Sequence, residues 1–509
     1  MATPALEPWL DGAHDAEGMR AADRWAIDER GISSLELMET AGAAVARAAA
    51  EFAPDGPARV VCGKGNNAGD GLVAARALVK TGFDVDALLL WPAGELSPDA
   101  KANLERLDGE PREIAPGDLP AALEGSGVVI DAIFGTGFSG APRAPADAAI
   151  EAINACGAAI VAADIASGVD ASTGEIAGVA VEADVTVSFH AAKLGHWIAP
   201  GKWHTGALAV APIGIPPDAP AAPRAGLVTT RALDLAPRRG EESTKFSSGQ
   251  VLVIGGSSGL TGAVCMAAGA AIRAGAGYAT VAVPADLEPI FEAKLTEVMS
   301  RGFAGAQGAL DADDADAILE AAAGAAAVVL GPGLGRRDES LALAREVARR
   351  VEAPLLIDAD GLNAHAGELA ALAERDHPTV LTPHAGELGR LLERDSVEVN
   401  QHRLAAALDA AAASGAIVVL KGDDTLVVAG DRVAINPVSS PALATAGTGD
   451  VLSGTIGALL ARGVDPYGAA CAGVLAHARA GIEASERAGA AESVIATDVI
   501  DALPAGLMP

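Results

Sequence analysis

Nine short, almost uninterrupted apolar runs, each broken by a glycine-rich or acidic loop, constrain this chain more than any other feature. ARVVC (58–62), VDALLL (85–90), VVIDAIF (128–134) and AAIVAAD (158–164) stand in the first half. VLVIGG (251–256), AAVVLG (326–331), APLLIDAD (353–360), TVLTP (379–383) and AIVVLKG (416–422) stand in the second. A strand covered on one face alternates apolar and polar residues, whereas a strand covered on both faces is apolar throughout. Alanine-rich stretches of helical length separate the runs, so the expectation is an α/β fold of parallel sheets between two layers of helices. Ligands of such sheets gather where the strands end.

Between the two series lies GIPPDAPAAPRAG (214–226), with four prolines in 13 residues. Proline lacks a backbone donor and cannot continue a helix or an interior strand. Domains are therefore expected at 1–216 and 227–509, joined by a linker at 217–226. The length of 509 residues agrees, because one hydrophobic core rarely extends past about 250–300 residues.

Half of the residues are apolar, which excludes disorder despite a net charge of −31. That charge also excludes nucleic acid as a partner of the whole surface. Only eight of the 36 basic residues are lysines, so an anionic ligand must lean on backbone N–H groups and a few placed cations. Cys62, Cys156, Cys265 and Cys471 form no C-x-x-C pair, which argues against a zinc site or a disulfide framework. The acidic, proline-interrupted N-terminus is no signal peptide, and no apolar run suits a membrane span. A cytoplasmic protein working as a homo-oligomer, with no membrane partner, is the expectation.

The loop GKGNNAGDG (63–71) follows the first strand and is expected to open the helix LVAARALVKTG (72–82). Its glycines let N–H groups face inward, where a helix N-terminus favours an anion. Asn66, Asn67 and Asp70 add side-chain oxygens. Two further strand ends carry Asp131, Asp164 and Ser167, hard oxygen donors that suit an alkali or alkaline-earth cation. GTGFSG (135–140) matches the dinucleotide fingerprint G-x-G-x-x-G, but Pro142 and Pro145 follow, so no helix starts at its third glycine. A phosphate-contacting loop is expected there, and hydride transfer is rejected.

Together with MRAADRWAIDERGISSLELMETAG, DIASGVDASTG and FHAAKLGHW, these motifs run in order over 19–216 and resemble the NAD(P)HX epimerase domain, a Rossmann-like three-layer αβα fold. The resemblance implies a substrate site for NADHX or NADPHX made by Asn66, Asn67, Ala68, Gly69, Asp70, Gly135, Thr136, Gly137, Phe138, Ser139, Gly140, Ala141 and Asp164. It also implies a potassium site of Asn67, Asp131 and Ser167. Ala68 stands where the family usually has glycine, and Ala166 where it usually has proline. The substrate is a hydrated nicotinamide whose C6 hydroxyl must invert. Its ring nitrogen can expel that hydroxyl as an iminium forms, and water returns on the other face. Asp164 is the candidate proton shuttle.

The second half contains no G-x-x-x-x-G-K-[ST], which excludes a Walker ATPase. Instead ATAGTGDVLSG (444–454) leads into an apolar helix, so GTGD places N–H groups around a transferring phosphoryl group and Asp450 beside them as proton acceptor. GGSSGLTGA, GPGLGR, DADGLN, TPHAGE and KGDDTLV each follow an expected strand. His384 is a substrate contact, Glu387 an orienter of magnesium-bound water, and Lys421 a cation for a nucleotide phosphate. In this order, over 227–503, the motifs resemble the ADP-dependent NAD(P)HX dehydratase domain of the ribokinase-like superfamily, again αβα. That resemblance implies NAD(P)HX contacts at Ala263, Gly333, His384 and Asp450. It implies ADP contacts at Lys421, Gly422, Asp423, Asp424, Thr425 and Gly449, with magnesium as cofactor. Ala385 and Gly361 depart from the family's usual proline and alanine. The alternative is a ribokinase-superfamily small-molecule kinase with a non-catalytic N-terminal binding module, which could be an RNA-binding one.

Overall fold

A computed structural model of the chain describes residues 6–53, 55–107, 109, 111–216, 219, 223 and 225–509. Of the proline-rich segment 217–226, positions 217, 218, 220–222 and 224 lie outside the described residues. Two compact units emerge, Gly12–Ala225 and Gly226–Pro509. The segment Glu7–Asp11 is counted with the second unit, and the expectation had placed it in the first. Strand β1 (Leu10–Ala13) begins in that segment and is the outermost strand of the eleven-stranded sheet.

The first unit holds β2 (Ala58–Cys62), β3 (Val85–Leu89), β4 (Arg112–Glu113), β5 (Val128–Ala132), β6 (Ala159–Ala163), β7 (Val185–Phe189) and β8 (Ala207–Ala211). Their order is β4-β3-β2-β5-β6-β7-β8, and every neighbouring pair is parallel. Val60, Ile130 and Val161 pack in one core cluster, while Val61, Val129 and Ile160 pack in another. Alternate residues of the same strands thus feed opposite faces, which is why the runs read as apolar throughout. Beyond β2 the chain turns to one side, and beyond β5 to the other. A crevice opens between these two strand ends, the switch point where such sheets bind ligands.

In the second unit β9 (Ala225–Val228), β10 (Gln250–Ile254), β11 (Tyr278–Pro284), β12 (Met299–Phe303), β13 (Ala327–Leu330), β14 (Leu355–Ile357), β15 (Thr379–Leu381), β16 (Ile417–Leu420), β17 (Leu426–Ala429) and β18 (Arg432–Ile435) join β1. The order is β1-β9-β18-β17-β16-β15-β14-β13-β10-β11-β12, and β12 through β16 are parallel. β17 and β18 run antiparallel, as a hairpin on the edge of the parallel array. This departs from an all-parallel expectation; Ala429 pairs with Arg432, and Gly430, at φ 62°, turns the chain between them.

Two loops expected from the sequence are helix. The helix Asn66–Lys80 begins inside NNAGDG, and Thr448–Ala461 begins inside GTGD. In the first of these helices the glycines serve packing, whereas Gly447 caps the second at φ 91°, a left-handed conformation that suits glycine. A Cβ on Gly71 would lie 2.5 Å from that of Ala132, and one on Gly69 would lie 2.4 Å from Met38 Sδ.

Candidate active sites

In the first unit a cavity of about 610 Å³ opens at the switch point. It is lined by Asn66, Asn67, Asp70, Gly135, Thr136, Gly137, Phe138 and Asp164. Asn67 and Asp70 stand three residues apart on one helix and so share a face. Ala68 is fully buried and Gly69 packs on Met38, so this face of the helix turns them away from the cavity. Ser139, Gly140 and Ala141 are also absent from its lining.

Asp164 follows β6 with φ at 69°, a left-handed conformation costly for a residue with a side chain. Its surroundings hold it there: its N–H donates to Val187 O at 2.8 Å, and its carbonyl meets His196 Nε2 at 3.1 Å. His196 Nδ1 accepts from the Lys193 N–H at 3.0 Å, which makes Nε2 the donor in the neutral ring. Burial, then the charge of Lys193, push His196 down to about 3, so the ring stays neutral. One oxygen of the Asp164 carboxylate accepts from Thr136 N and Oγ1 at 2.9 and 2.5 Å. The other accepts from Lys193 Nζ at 2.5 Å and from Phe189 N at 3.4 Å. Lys193 is 1% exposed, and its remaining donors go to Ser188 Oγ and Phe189 O. Burial alone would raise the Asp164 carboxyl, but the Lys193 charge and these hydrogen bonds hold it below the usual carboxylate range. An ionised carboxylate with both oxygens engaged is a fixed charge. The sequence made Asp164 a candidate proton shuttle; in the structure both of its oxygens already accept hydrogen bonds.

Asp131, at the end of β5, is wholly buried. Ser167 donates to it through N at 2.8 Å and Oγ at 2.6 Å, and Ile133 N donates at 3.2 Å. Burial pushes it up to about 6, and no cationic side chain is among the groups acting on it. Asn67 Nδ2 donates to Phe134 O at 2.9 Å, while Asn67 Oδ1 is buried with no hydrogen-bond partner. A buried carboxylate without a counter-charge and an orphaned amide oxygen are what a monovalent cation would satisfy. The donor set therefore fits potassium.

In the second unit the strand ends converge on Lys421, which follows β16. Its Nζ lies 3.0 Å from Asp358 Oδ1 and 3.6 Å from Glu387 Oε2. Asp358 also accepts from Ser453 Oγ at 2.7 Å. Asp360 accepts from Gly335 N at 3.0 Å and Arg336 Nε at 2.9 Å. Asp450 sits in the first turn of Thr448–Ala461, and a Cβ on its neighbour Gly449 would be 3.5 Å from Lys421 Nζ. Burial, then the charge of Asp358, push Asp450 up to about 7 against the pull of Lys421. Ala359, just after β14, is held at φ 50°, so both units place a strained residue beside their charged groups.

Ala263 and Gly333 come together, since a Cβ on the glycine would stand 3.2 Å from that of Ala263. His384 caps the helix Ala385–Leu392 through Nδ1, with its ring more than half exposed. Glu387 completes that cap by accepting from His384 N at 2.9 Å, besides facing Lys421. Both of these contacts are to Oε2, and Oε1 lies 3.5 Å from His384 Nε2, which counts against Glu387 as a first ligand of magnesium. No three His, Cys, Asp or Glu groups among the described residues stand close enough to cage an ion. Magnesium fits this unit as an ion carried mainly by phosphate oxygens. In the 421–425 turn, Thr425 Oγ1 donates to Gly422 O at 2.7 Å, and Asp424 is anchored on the buried Arg403 at 2.7 Å. Asp424 therefore shapes the turn, leaving its backbone and Lys421 as the groups for a phosphate.

Sequence reasoning gave no role to Lys193, Asp23, Asp358 or Asp360. Lys193 carried the signal that singled out Lys421, being one of eight lysines and lying inside a quoted motif. Asp358 and Asp360 lay in DADGLN, but which of its acids face Lys421 depends on the turn at Ala359.

Comparison with known proteins adds the following. A family model described as NAD(P)H-hydrate dehydratase matches residues 251–505, and one described as YjeF-related protein N-terminus matches 34–195. The bifunctional NAD(P)H-hydrate repair enzyme Nnr of Moorella thermoacetica is 39% identical over 507 residues, covering 96% of this chain and 95% of its own. That of Salinibacter ruber is 39% identical and covers 99% and 97%. A solved structure of the ADP/ATP-dependent NAD(P)H-hydrate dehydratase of Bacillus subtilis is 27% identical, covers 55% of this chain and 96% of its own, and superposes with a TM-score of 0.46.

Proposed function

The chain belongs to the bifunctional NAD(P)H-hydrate repair enzymes, and on that premise we propose which of its residues carry each of the two reactions. It is an NAD(P)H-hydrate epimerase and an NAD(P)H-hydrate dehydratase on one chain. The small-molecule kinase alternative is not favoured, because the relatives match across both units.

The first unit carries the epimerase. The 610 Å³ cavity receives the hydrated nicotinamide, with the helix N-terminus at Asn66 and the Gly135–Phe138 turn toward the phosphates. When the C6 hydroxyl leaves, the ring becomes a cationic iminium. Asp164, ionised and rigid, then faces a positive charge that the substrate lacks, so it stabilises the transition state more than the ground state. Potassium would be held by Asn67 Oδ1, Asp131 and Ser167. It would neutralise the buried carboxylate and stiffen the strand ends that shape the cavity.

The second unit carries the dehydratase, and one observation supports this most: Asp450, raised to about 7, lies beside Lys421 at a helix N-terminus. Near neutral pH such a carboxylate is both partly ionised and basic enough to accept the C6 hydroxyl proton of the (6S) hydrate. The oxygen so freed attacks the β-phosphoryl group of ADP and releases AMP. Backbone N–H groups at Thr448–Asp450 and the Lys421 ammonium carry the charge that develops. Phosphate then leaves from C6 as the ring nitrogen donates its lone pair, and loss of a C5 proton yields NAD(P)H. Magnesium, bound with the nucleotide, would supply further neutralisation of its phosphates. The (6R) hydrate produced alongside becomes a substrate only after epimerisation in the first unit.

Among the described residues no helix is long and apolar enough to cross a membrane. Four unpaired thiols suit a reducing compartment, so the cytoplasm is the proposed location, with a homo-oligomer as the proposed assembly.

The test is an assay of purified protein with (6R)- and (6S)-NADHX, each with and without ADP. NADH should form from (6S) only with ADP, and from (6R) faster than spontaneous epimerisation allows. Absence of NADH from (6S) would sink the dehydratase assignment. Replacing ADP with ATP shows how strict the nucleotide preference is.

A further inference from the structure

Inverting C6 requires a proton for the departing hydroxyl and an acceptor for the proton of the returning water, on opposite faces of the ring. Asp164 can serve neither need while Thr136, Lys193 and Phe189 fill both of its oxygens. Three other carboxyls, Asp23, Asp70 and Asp99, line the same cavity, and Asp23 and Asp70 are the two close enough to feel the charge of Asp164. Asp70 projects from the first turns of Asn66–Lys80, and Asp23 comes from a different element, the helix Ala16–Asp28. Among the described residues none donates a hydrogen bond to either side chain.

We propose that Asp70 and Asp23 are the proton-transfer pair of the epimerase, with the Asp164–Lys193 ion pair as the fixed charge of the same cavity. This rests on the epimerase reading of the first unit. In one direction the Asp70 carboxyl gives its proton to the C6 oxygen. The C6–O bond breaks, water leaves, and the N1 lone pair forms the iminium double bond. Water then adds to the other face of C6 and passes one proton to the Asp23 carboxylate. The substrate has inverted, one water has left and one has entered, and one proton has moved from Asp70 to Asp23. The reverse direction uses the same two groups with roles exchanged, and half-exposed Asp23 can also trade its proton with solvent.

The electrostatics of the cavity agree with that division. Burial, then the charges of Asp164 and Asp23, push Asp70 well up, against the pull of Lys193, and Asp99 at the start of Pro98–Leu104 adds to the rise. Burial and Asp164 push Asp23 up to about 6, again against Lys193. Arg20 and Lys64 complete the charged lining. Environments that separate titratable groups into one fixed anion and two proton carriers are a signature of acid–base assignment.

The experiment measures epimerisation of (6R)-NADHX by full-length wild type, Asp70→Asn and Asp23→Asn across pH. Dehydration of (6S)-NADHX in the same samples reports folding. The expected result is a loss of kcat of about 10²–10⁴-fold in Asp70→Asn, with KM within about threefold of wild type and (6S) dehydration unchanged. The bell-shaped pH profile of wild type should lose its acid limb in Asp23→Asn, because that limb reports protonation of the acceptor. An Asp70→Asn enzyme with more than about a third of wild-type kcat, or one altered in KM alone, would overturn the assignment. A pH profile unchanged in shape by Asp23→Asn would do the same. A wild type no faster than spontaneous epimerisation would instead remove the epimerase reading itself.

Discussion

Both units run seven parallel strands in one order, two stepping to one side of the starting strand and then four to the other. They differ in what they do with a lysine at a strand end. Lys193 is closed in: at 1% exposure, its donors are all filled by Asp164, Ser188 and Phe189. Lys421 is 21% exposed, with Asp358 and Glu387 on one side and the helix start at Gly449 on the other. A lysine with every donor filled can only tune its partner, whereas a partly open one can still meet a phosphate. On the proposed assignment the first unit stabilises charge appearing on its substrate's ring, and the second meets charge that arrives with a nucleotide.

The contrast breaks most sharply at Asp450. Asp450→Ala should lower dehydratase kcat by about 10²–10⁴-fold, while epimerisation by the same protein stays at wild-type rate. Parallel assays with the two hydrates check this, and equal loss of both activities would refute the separation. Next comes the closed lysine. Lys193→Met leaves a buried carboxylate unpaired and should destabilise the first unit by about 3–5 kcal/mol. Calorimetry should show one transition shifted down and the other in place. Adding Asp164→Leu should recover stability but not epimerisation, separating the pair's structural role from its electrostatic one.

A smaller effect follows from titration. The raised pKa of Asp450 means a rising proportion of protonated, inactive base as pH falls through about 7. Dehydratase kcat/KM should drop about tenfold per pH unit below that point. A profile flat down to pH 5 would rule out Asp450 as the base. The smallest effect concerns the proposed cation. Replacing potassium with choline should slow epimerisation a few-fold and spare dehydration at constant magnesium.

The sequence carried much of the fold, because a strand buried on both faces has to be apolar along its whole length. All nine such runs are parallel strands. The missed strands include β4, whose two residues are both exposed, and β18, which exists through its pairing with β17, but also the parallel β7 (VTVSF) and β11 (YATVAVP), whose Thr, Ser and Tyr interrupt the apolar run. The candidate site was partly legible, since glycines and strand-end oxygens sit close together in the chain. Asn67, Asp131, Asp164 and Ser167 do converge. Their chemistry was less legible. Asp164 looked like a proton shuttle until Lys193, 29 residues on, was seen bonded to it. Glu387 looked like a partner of magnesium until His384 and Lys421 were seen to engage it.

What the amino-acid order determined by itself was the layering of parallel sheets between helices, which follows from local pattern. The protonation state of each carboxyl was decided only by the tertiary structure. Ionisation depends on the desolvation and the charges that distant segments bring within a few ångströms, and neither is written in the neighbouring residues.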